Sequence, residues 1–188
     1  MGKEIHFNNV NELVHNIIRR ITLDNFRPDY VVGITRGGLV PATMISHYFD
    51  IPMHTLKVSL RSDPADTETN GWMAEDAFGY VPLGERDVLK SRWDTKRRKN
   101  ILIVDDINDS GATFDWVKQD WIRGCLPNET EAWKSVWNNN VKFAVMVDNE
   151  ASNFEKIDYF GEAINKIEDP AWITFPWEQW WKNGGKYD

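Results

Sequence analysis

The stretch "ILIVDDINDSGATF", Ile101 to Phe114, decides how the rest of the sequence is read. Four apolar residues without alternation are the pattern of a strand buried on both faces, as in a parallel sheet. They run straight into Asp105 and Asp106, then Asp109, and then Ser110-Gly111-Ala112-Thr113 at the opening of a helical pattern. Taking carboxylates out of water at the end of a buried strand is costly unless a partner compensates. A cation, or a ligand rich in hydroxyls, is therefore expected at this strand end.

Outward from this stretch, "DYVVGI" ends at Gly33 as a second buried strand, and "RGGLVPATMISHYFD" turns on two glycines into a helix through Phe49. "IPMHTLKV" and "VKFAVMVD" give two more strands. "VNELVHNIIRRI" sets Val10, Leu13, Val14, Ile17, Ile18 and Ile21 at helical spacing, with Asn9 as N-cap. A helix is predicted from Thr113 to about Ile122, and a loop with a short extra helix over "LPNETEAWKSVWNNN", an insertion between Leu126 and Asn140. Ser59 to Lys99 is polar and reads as a long mobile loop, within which "GWMAEDAFGY" has no assignment. The pattern is an α/β fold: a mostly parallel central sheet flanked by helices, in a single domain over 1–188 with a C-terminal hood at about 150–188.

Bulk properties narrow the class. At 41% apolar residues over 188 positions the chain can build one real core. Its formal charge of −7 argues against a nucleic-acid scaffold. The single cysteine, Cys125, excludes an intrachain disulfide and fits a reducing compartment. No apolar leader and no membrane-length apolar run is present in the sequence, so a cytoplasmic protein is expected. Ten tryptophans are read mainly as core and subunit contacts.

In an open α/β sheet, ligands bind beyond the carboxyl ends of the strands. Small residues at 110–112 let backbone N–H groups approach an anion, and the helix N-terminus favours one. Ser110 and Thr113 add hydroxyls. Carboxylates repel phosphate, so Asp105 and Asp106 should face sugar hydroxyls or a metal. A phosphorylated ribose satisfies both halves. Helix capping by Asp109 or Ser110 explains one residue and leaves the acidic pair unexplained. Neither a Walker loop nor a dinucleotide fingerprint is present.

"VDDINDSGAT" resembles the phosphoribosyl-pyrophosphate (PRPP) motif of the type I phosphoribosyltransferases. "VVGITRGGLVPATMIS" resembles the pyrophosphate loop of their purine branch, closest to bacterial xanthine-guanine enzymes, and "DPAWITFPWE" resembles the segment that covers the purine. The resemblance implies PRPP and a purine base (xanthine, guanine or hypoxanthine) as substrates, Mg²⁺ as cofactor, and a homodimer or homotetramer without nucleic-acid partners. It implies that Asp105 and Asp106 bind ribose hydroxyls, with Asp106 touching the metal. Asp109, Ser110, Gly111, Ala112 and Thr113 would hold the 5′-phosphate, Asp109 also serving as proton acceptor near N7. Arg36 and Gly37 would bind pyrophosphate, Arg36 by forking two donors onto its oxygens. The bond Arg36–Gly37 is expected to be cis. Trp172 would stack on the base and the Ile173 backbone would bond its edge, with Trp177 packing the tail. Arg61, Lys96 and Arg97 are further candidates for pyrophosphate. Where relatives place a lysine after the fourth strand, this chain has Asn149, flanked by Asp148. Two alternatives share the fold: a PRPP-binding regulator without turnover, and a transferase for a different base.

Overall fold

The structure, a computed structural model, describes residues 2–58, 70–85, 91–178 and 181. Its elements are β1 (Lys3–Glu4), α1 (Phe7–Leu23), β2 (Tyr30–Thr35), α2 (Leu39–Phe49), β3 (Met53–Lys57), α3 (Gly71–Phe78), β4 (Ile101–Asn108), α4 (Ala112–Gly124), α5 (Thr130–Asn139), β5 (Val141–Asn149), β6 (Tyr159–Ile164) and β7 (Ile173–Thr174). Five strands form one parallel sheet in the order β3-β2-β4-β5-β6. The expected α/β architecture is present.

The sheet is buried on both faces, which is why its strands read as unbroken apolar runs. On one side Val31, Leu102, Val104, Ala144 and Met146 pack with α1 and α2. On the other, Val32, Ile101, Ile103, Phe143 and Val145 pack with α3, α4 and α5. Aromatic rings fill much of this second layer. Trp121 and Trp133 are buried, and Trp133 stacks on Trp137 with centroids 5.2 Å apart. Among the described residues no helix is long and apolar enough to cross a membrane.

Several boundaries differ from expectation, each for a local reason. Helix α1 starts at Phe7, and Asn9 is not its cap; the Asn9 Oδ1 accepts the backbone N–H of His6 at 3.1 Å, closing the first turn from inside. The span 59–99 is not a loop throughout. Met73, Ala74, Ala77 and Phe78 form the buried stripe of α3, which Glu75 and Asp76 interrupt in sequence but not in space. Gly79 ends that helix at φ 74°, its N–H donating to the Glu75 carbonyl at 2.9 Å. Arg61 lies outside the described residues, while Arg97 pairs with Glu85. The segment 126–140 contains the full ten-residue helix α5. A fifth strand, β6, stands beside β5 where sequence reading assigned none. Its Gly161 lets α1 cross closely, since a Cβ there would meet the Leu13 Cβ at 2.8 Å and the Met146 carbonyl at 2.7 Å.

Candidate active site

Strands β2 and β4 are parallel neighbours, with Tyr30 beside Ile101 and Gly33 beside Val104, so the turns that follow them leave the same end of the sheet. The β4 ladder continues through the carboxylates to Asn108, paired with Asp148 of β5. Asp105 and Asp106 therefore project from a strand rather than from a loose turn, which fixes their direction. Only 9% of Asp105 is exposed. Burial, followed by repulsion from Asp106, pushes its carboxyl well above the usual range. Asp106 is raised to about 6, chiefly by burial. The Asp105 side chain and the Ile107 N–H pull it down, and the charge of Glu178 adds a smaller upward push. A carboxylate pair held in this state is poised to receive positive charge or hydroxyl donors.

The Arg36-Gly37-Gly38 turn lies directly against this pair. A Cβ built on Gly37 would sit 1.8 Å from Asp106 Oδ2, and one on Gly38 would sit 2.3 Å from the Val104 carbonyl and 2.8 Å from Asp105 Cα. Glycine is required at both because backbone touches the acids without room for a side chain. The exposed Arg36 stands at the head of this turn. The cis peptide is Thr35–Arg36, one bond before the expected Arg36–Gly37.

Beyond Asp106 the residues expected to form the cradle surround a common cavity. A cavity of about 210 Å³ is lined by Asp105 to Gly111, Thr113 and Phe114. The first N–H groups of α4 have no partner within the helix, and helix N-termini of this kind favour anions. Ser110 Oγ accepts the Ala112 N–H at 3.4 Å. Gly111 caps α4 at φ 89°, and a Cβ there would stand 2.5 Å from the Phe154 nitrogen and 2.9 Å from Ser152 Oγ. Gly111→Ala combines left-handed strain with overlap against backbone and is expected to destabilise the fold by about 3 kcal/mol or more. Urea unfolding of the two proteins measures it; a change below about 1 kcal/mol would contradict this packing.

At the base end the sequence expectations divide. Trp172 is 69% exposed, and its carbonyl accepts the Lys3 N–H at 2.8 Å. Ile173 is buried and pairs with Lys3 in the short β1–β7 ladder, so it anchors the segment that presents Trp172. Trp177 stacks on the buried Phe175 with centroids 5.1 Å apart, which is the packing role expected of it. Asn149 requires a correction. It is buried, and its side chain donates to the Asp109 carbonyl at 2.8 Å while accepting the N–H groups of Ala151 at 3.2 Å and Lys166 at 3.1 Å. Its amide braces two turns rather than meeting a base.

Two participants were missed in the sequence. Lys166, in the turn after β6, places its ammonium 2.8 Å from Asp109 Oδ1. Glu178, whose Oε2 accepts the Phe175 N–H at 3.0 Å, reaches Asp106 through its field. Glu178 closes the quoted "DPAWITFPWE" stretch but was given no role, and Lys166 carried no signal beyond being a charged residue in a polar stretch.

These turns meet a known pattern. The phosphoribosyl transferase domain family matches residues 3–181. Xanthine phosphoribosyltransferase 1 of Saccharomyces cerevisiae is 26% identical over 191 residues, covering 93% of this chain and 88% of the relative. The xanthine-guanine phosphoribosyltransferase of Cereibacter sphaeroides is 28% identical over 148 residues, covering 79% and 68% respectively. The solved xanthine-guanine-hypoxanthine phosphoribosyltransferase of Helicobacter pylori shares the fold, with a TM-score of 0.63 at 16% identity and 97% of both chains covered. A family match over nearly the whole length, on a sheet that brings both glycine turns to one acidic pair, places this chain in the phosphoribosyl transferase domain family.

Proposed function

We propose that the protein is a purine phosphoribosyltransferase. It joins the 5-phosphoribosyl group of PRPP to a ring nitrogen of xanthine, guanine or hypoxanthine, releasing pyrophosphate and a nucleoside monophosphate. The observation that carries this reading is the close approach of the Gly37 turn to Asp106, which sets the turn proposed for pyrophosphate beside the acidic pair proposed for ribose. In this reading the 5′-phosphate sits on the N-terminus of α4, the ribose diol on Asp105 and Asp106, and the pyrophosphate on Arg36 and the glycine N–H groups.

Transfer needs no covalent nucleophile. The bond from C1 of the ribose to pyrophosphate breaks as the base nitrogen approaches, through a transition state of oxocarbenium character. The buried carboxylates lie on the side where the ring becomes positive, and Arg36 faces the departing negative charge. Asp109, its carboxylate tied to Lys166 and its carbonyl to Asn149, takes or orients the N7 proton. Mg²⁺ fits the donor set. The adjacent carboxylates of Asp105 and Asp106 are hard oxygen donors, the kind that hold Mg²⁺ together with substrate phosphates. Asp106 would hold it, and when bound it would neutralise charge on the leaving pyrophosphate.

The test is pyrophosphate release from PRPP and Mg²⁺ with each purine in turn. Turnover is expected with 6-oxopurines. The absence of release with every purine would overturn the reading.

A further inference from the structure

We propose that a cavity at the end of the sheet opposite the candidate active site binds a small phosphate-bearing polyanion. It measures about 290 Å³ and lies between α4, α5 and the segment joining β5 to β6. Lys118, Lys134, Lys142 and Lys156 line it, against the carboxylates of Glu155 and Asp158. Lys142 stands at the start of β5 and Asp158 directly before β6, whereas Asn149 ends β5 beside the Asp109 turn. Lys142 and Asn149 are thus separated by about 23 Å of strand, at about 3.3 Å per residue. The cavity is separate from the crevice assigned to PRPP.

Two carboxylates do not neutralise four ammonium groups. The Asp158 side chain, 9% exposed, is shared: its Oδ1 lies 3.2 Å from Lys142 and 3.8 Å from Lys156, while its Oδ2 accepts the Phe143 N–H at 2.9 Å. Glu155 is 87% exposed and stands 3.6 Å from Lys118, beyond hydrogen-bond length. Lys134 pairs at 2.7 Å with the exposed Glu131, which lies outside the cavity wall. A surplus of positive charge therefore faces one concavity, in a chain whose formal charge is −7. A cleft lined by one sign of charge focuses the field and concentrates counter-ions.

The inner two lysines are held in place. Lys142, 13% exposed, donates to the Asn138 carbonyl at 3.0 Å and to Asp158, which leaves one of its three donors for a ligand. Lys118, 22% exposed, sits 5.7 Å from the centroid of the Trp137 ring and 5.3 Å from that of Phe154. Aromatic faces attract an ammonium electrostatically and so position it. Among the described residues no arginine lines the cavity, so the planar fork that matches a carboxylate is missing. Point-charge ammoniums converging from α4, α5, β5 and the segment before β6 suit the tetrahedral oxygens of phosphate.

Pyrophosphate in metal-free buffer is the probe, with calorimetry on the full chain. Wild type is expected to show a binding phase that persists in Arg36→Met, where the turn proposed for PRPP has lost its guanidinium. Lys118→Met/Lys134→Met, which keeps the apolar stems, should weaken that phase by about 10–100-fold, and Lys118→Arg/Lys134→Arg should retain most of it. Citrate should bind there about tenfold more weakly than pyrophosphate. Amine acylation of wild type gives an independent reading: pyrophosphate should protect Lys118 and Lys134 and leave the exposed Lys99 unprotected. A phase absent from Arg36→Met, a phase unchanged in the methionine variant, equal binding of citrate, or lysines acylated alike with and without pyrophosphate would each overturn the site. None of these readings needs turnover. A protein that releases no pyrophosphate from PRPP yet keeps the lysine-dependent phase would sink the transferase reading and leave this site standing.

Discussion

Gly37→Ala is expected to lower kcat/KM by about 10³ while leaving the fold intact. The added Cβ would lie 1.8 Å from Asp106 Oδ2, 2.3 Å from its Cγ and 2.7 Å from Oδ1. Carbon contacts settle at about 3.5–4.0 Å, so the carboxylate must rotate away or the turn must retreat. Either movement separates the donors proposed for pyrophosphate from the acceptor proposed for ribose. A displacement of about 1 Å in a positioned site can cost about 10²-fold, and losing a preorganised electrostatic partner costs about 10²–10³. The loss should appear in kcat and in KM for PRPP, with KM for the purine nearly unchanged. Gly124→Ala, where a Cβ meets nothing within 4 Å, is the control for a generic glycine effect. Steady-state kinetics that place Gly37→Ala within a few-fold of wild type would remove the central contact from the mechanism.

Asp106→Asn should move activity and stability in opposite directions. The Asp106 carboxyl is raised to about 6 from an ordinary value of 3.8, mainly by burial. Between these values the folded protein keeps a proton that the unfolded chain releases, so this group's contribution to stability falls as pH rises through that window. Above about pH 6 the folded state carries the buried charge at full cost, on the order of 3 kcal/mol. The neutral, isosteric amide avoids that cost. Without ligand, the variant should melt about 6–12 °C above wild type at pH 7.5, with the gap closing toward pH 4. Its kcat/KM should fall by about 10² or more, because the amide cannot match the carboxylate opposite a cation or a positive ring. A variant less stable than wild type at pH 7.5, or a gap independent of pH, would show that Asp106 does not carry this charge. Sites kept for chemistry at the expense of stability commonly behave this way.

The parts of the fold legible in sequence are those with a local cause. Strands β2, β4 and β5 are buried on both faces and therefore spell themselves as "YVVGI", "ILIV" and "VKFAVMV". The glycine turn at Gly37 and the acid-to-glycine run from Asp105 to Thr113 are specified by backbone contact, which only particular residues permit. What stayed hidden is set by tertiary packing. Strand β6 contains Gly161 and Glu162, the first because α1 crosses it and the second because it pairs with Lys3 across the molecule. Helix α3 shows too short an apolar stripe to stand out from its acidic neighbours. Lys166 is one lysine among many until β6 and Asn149 carry it to Asp109. For the same reason Asn149, at the end of a strand that points toward the ligand crevice, read as a contact although its amide is enclosed by the protein.

The short β1–β7 ladder stands apart from the five-stranded sheet, and two flanking hydrogen bonds, Lys3 N–H to the Trp172 carbonyl at 2.8 Å and Ile5 N–H to the Thr174 carbonyl at 2.9 Å, help to hold it. The phosphate cradle, by contrast, hangs from central strands whose opening requires breaching the core. Small peripheral units open at lower free energy than core strands. If the base stacks on Trp172 as expected, releasing its aromatic end breaks only this two-residue ladder, whereas releasing the sugar-phosphate end disturbs the central sheet.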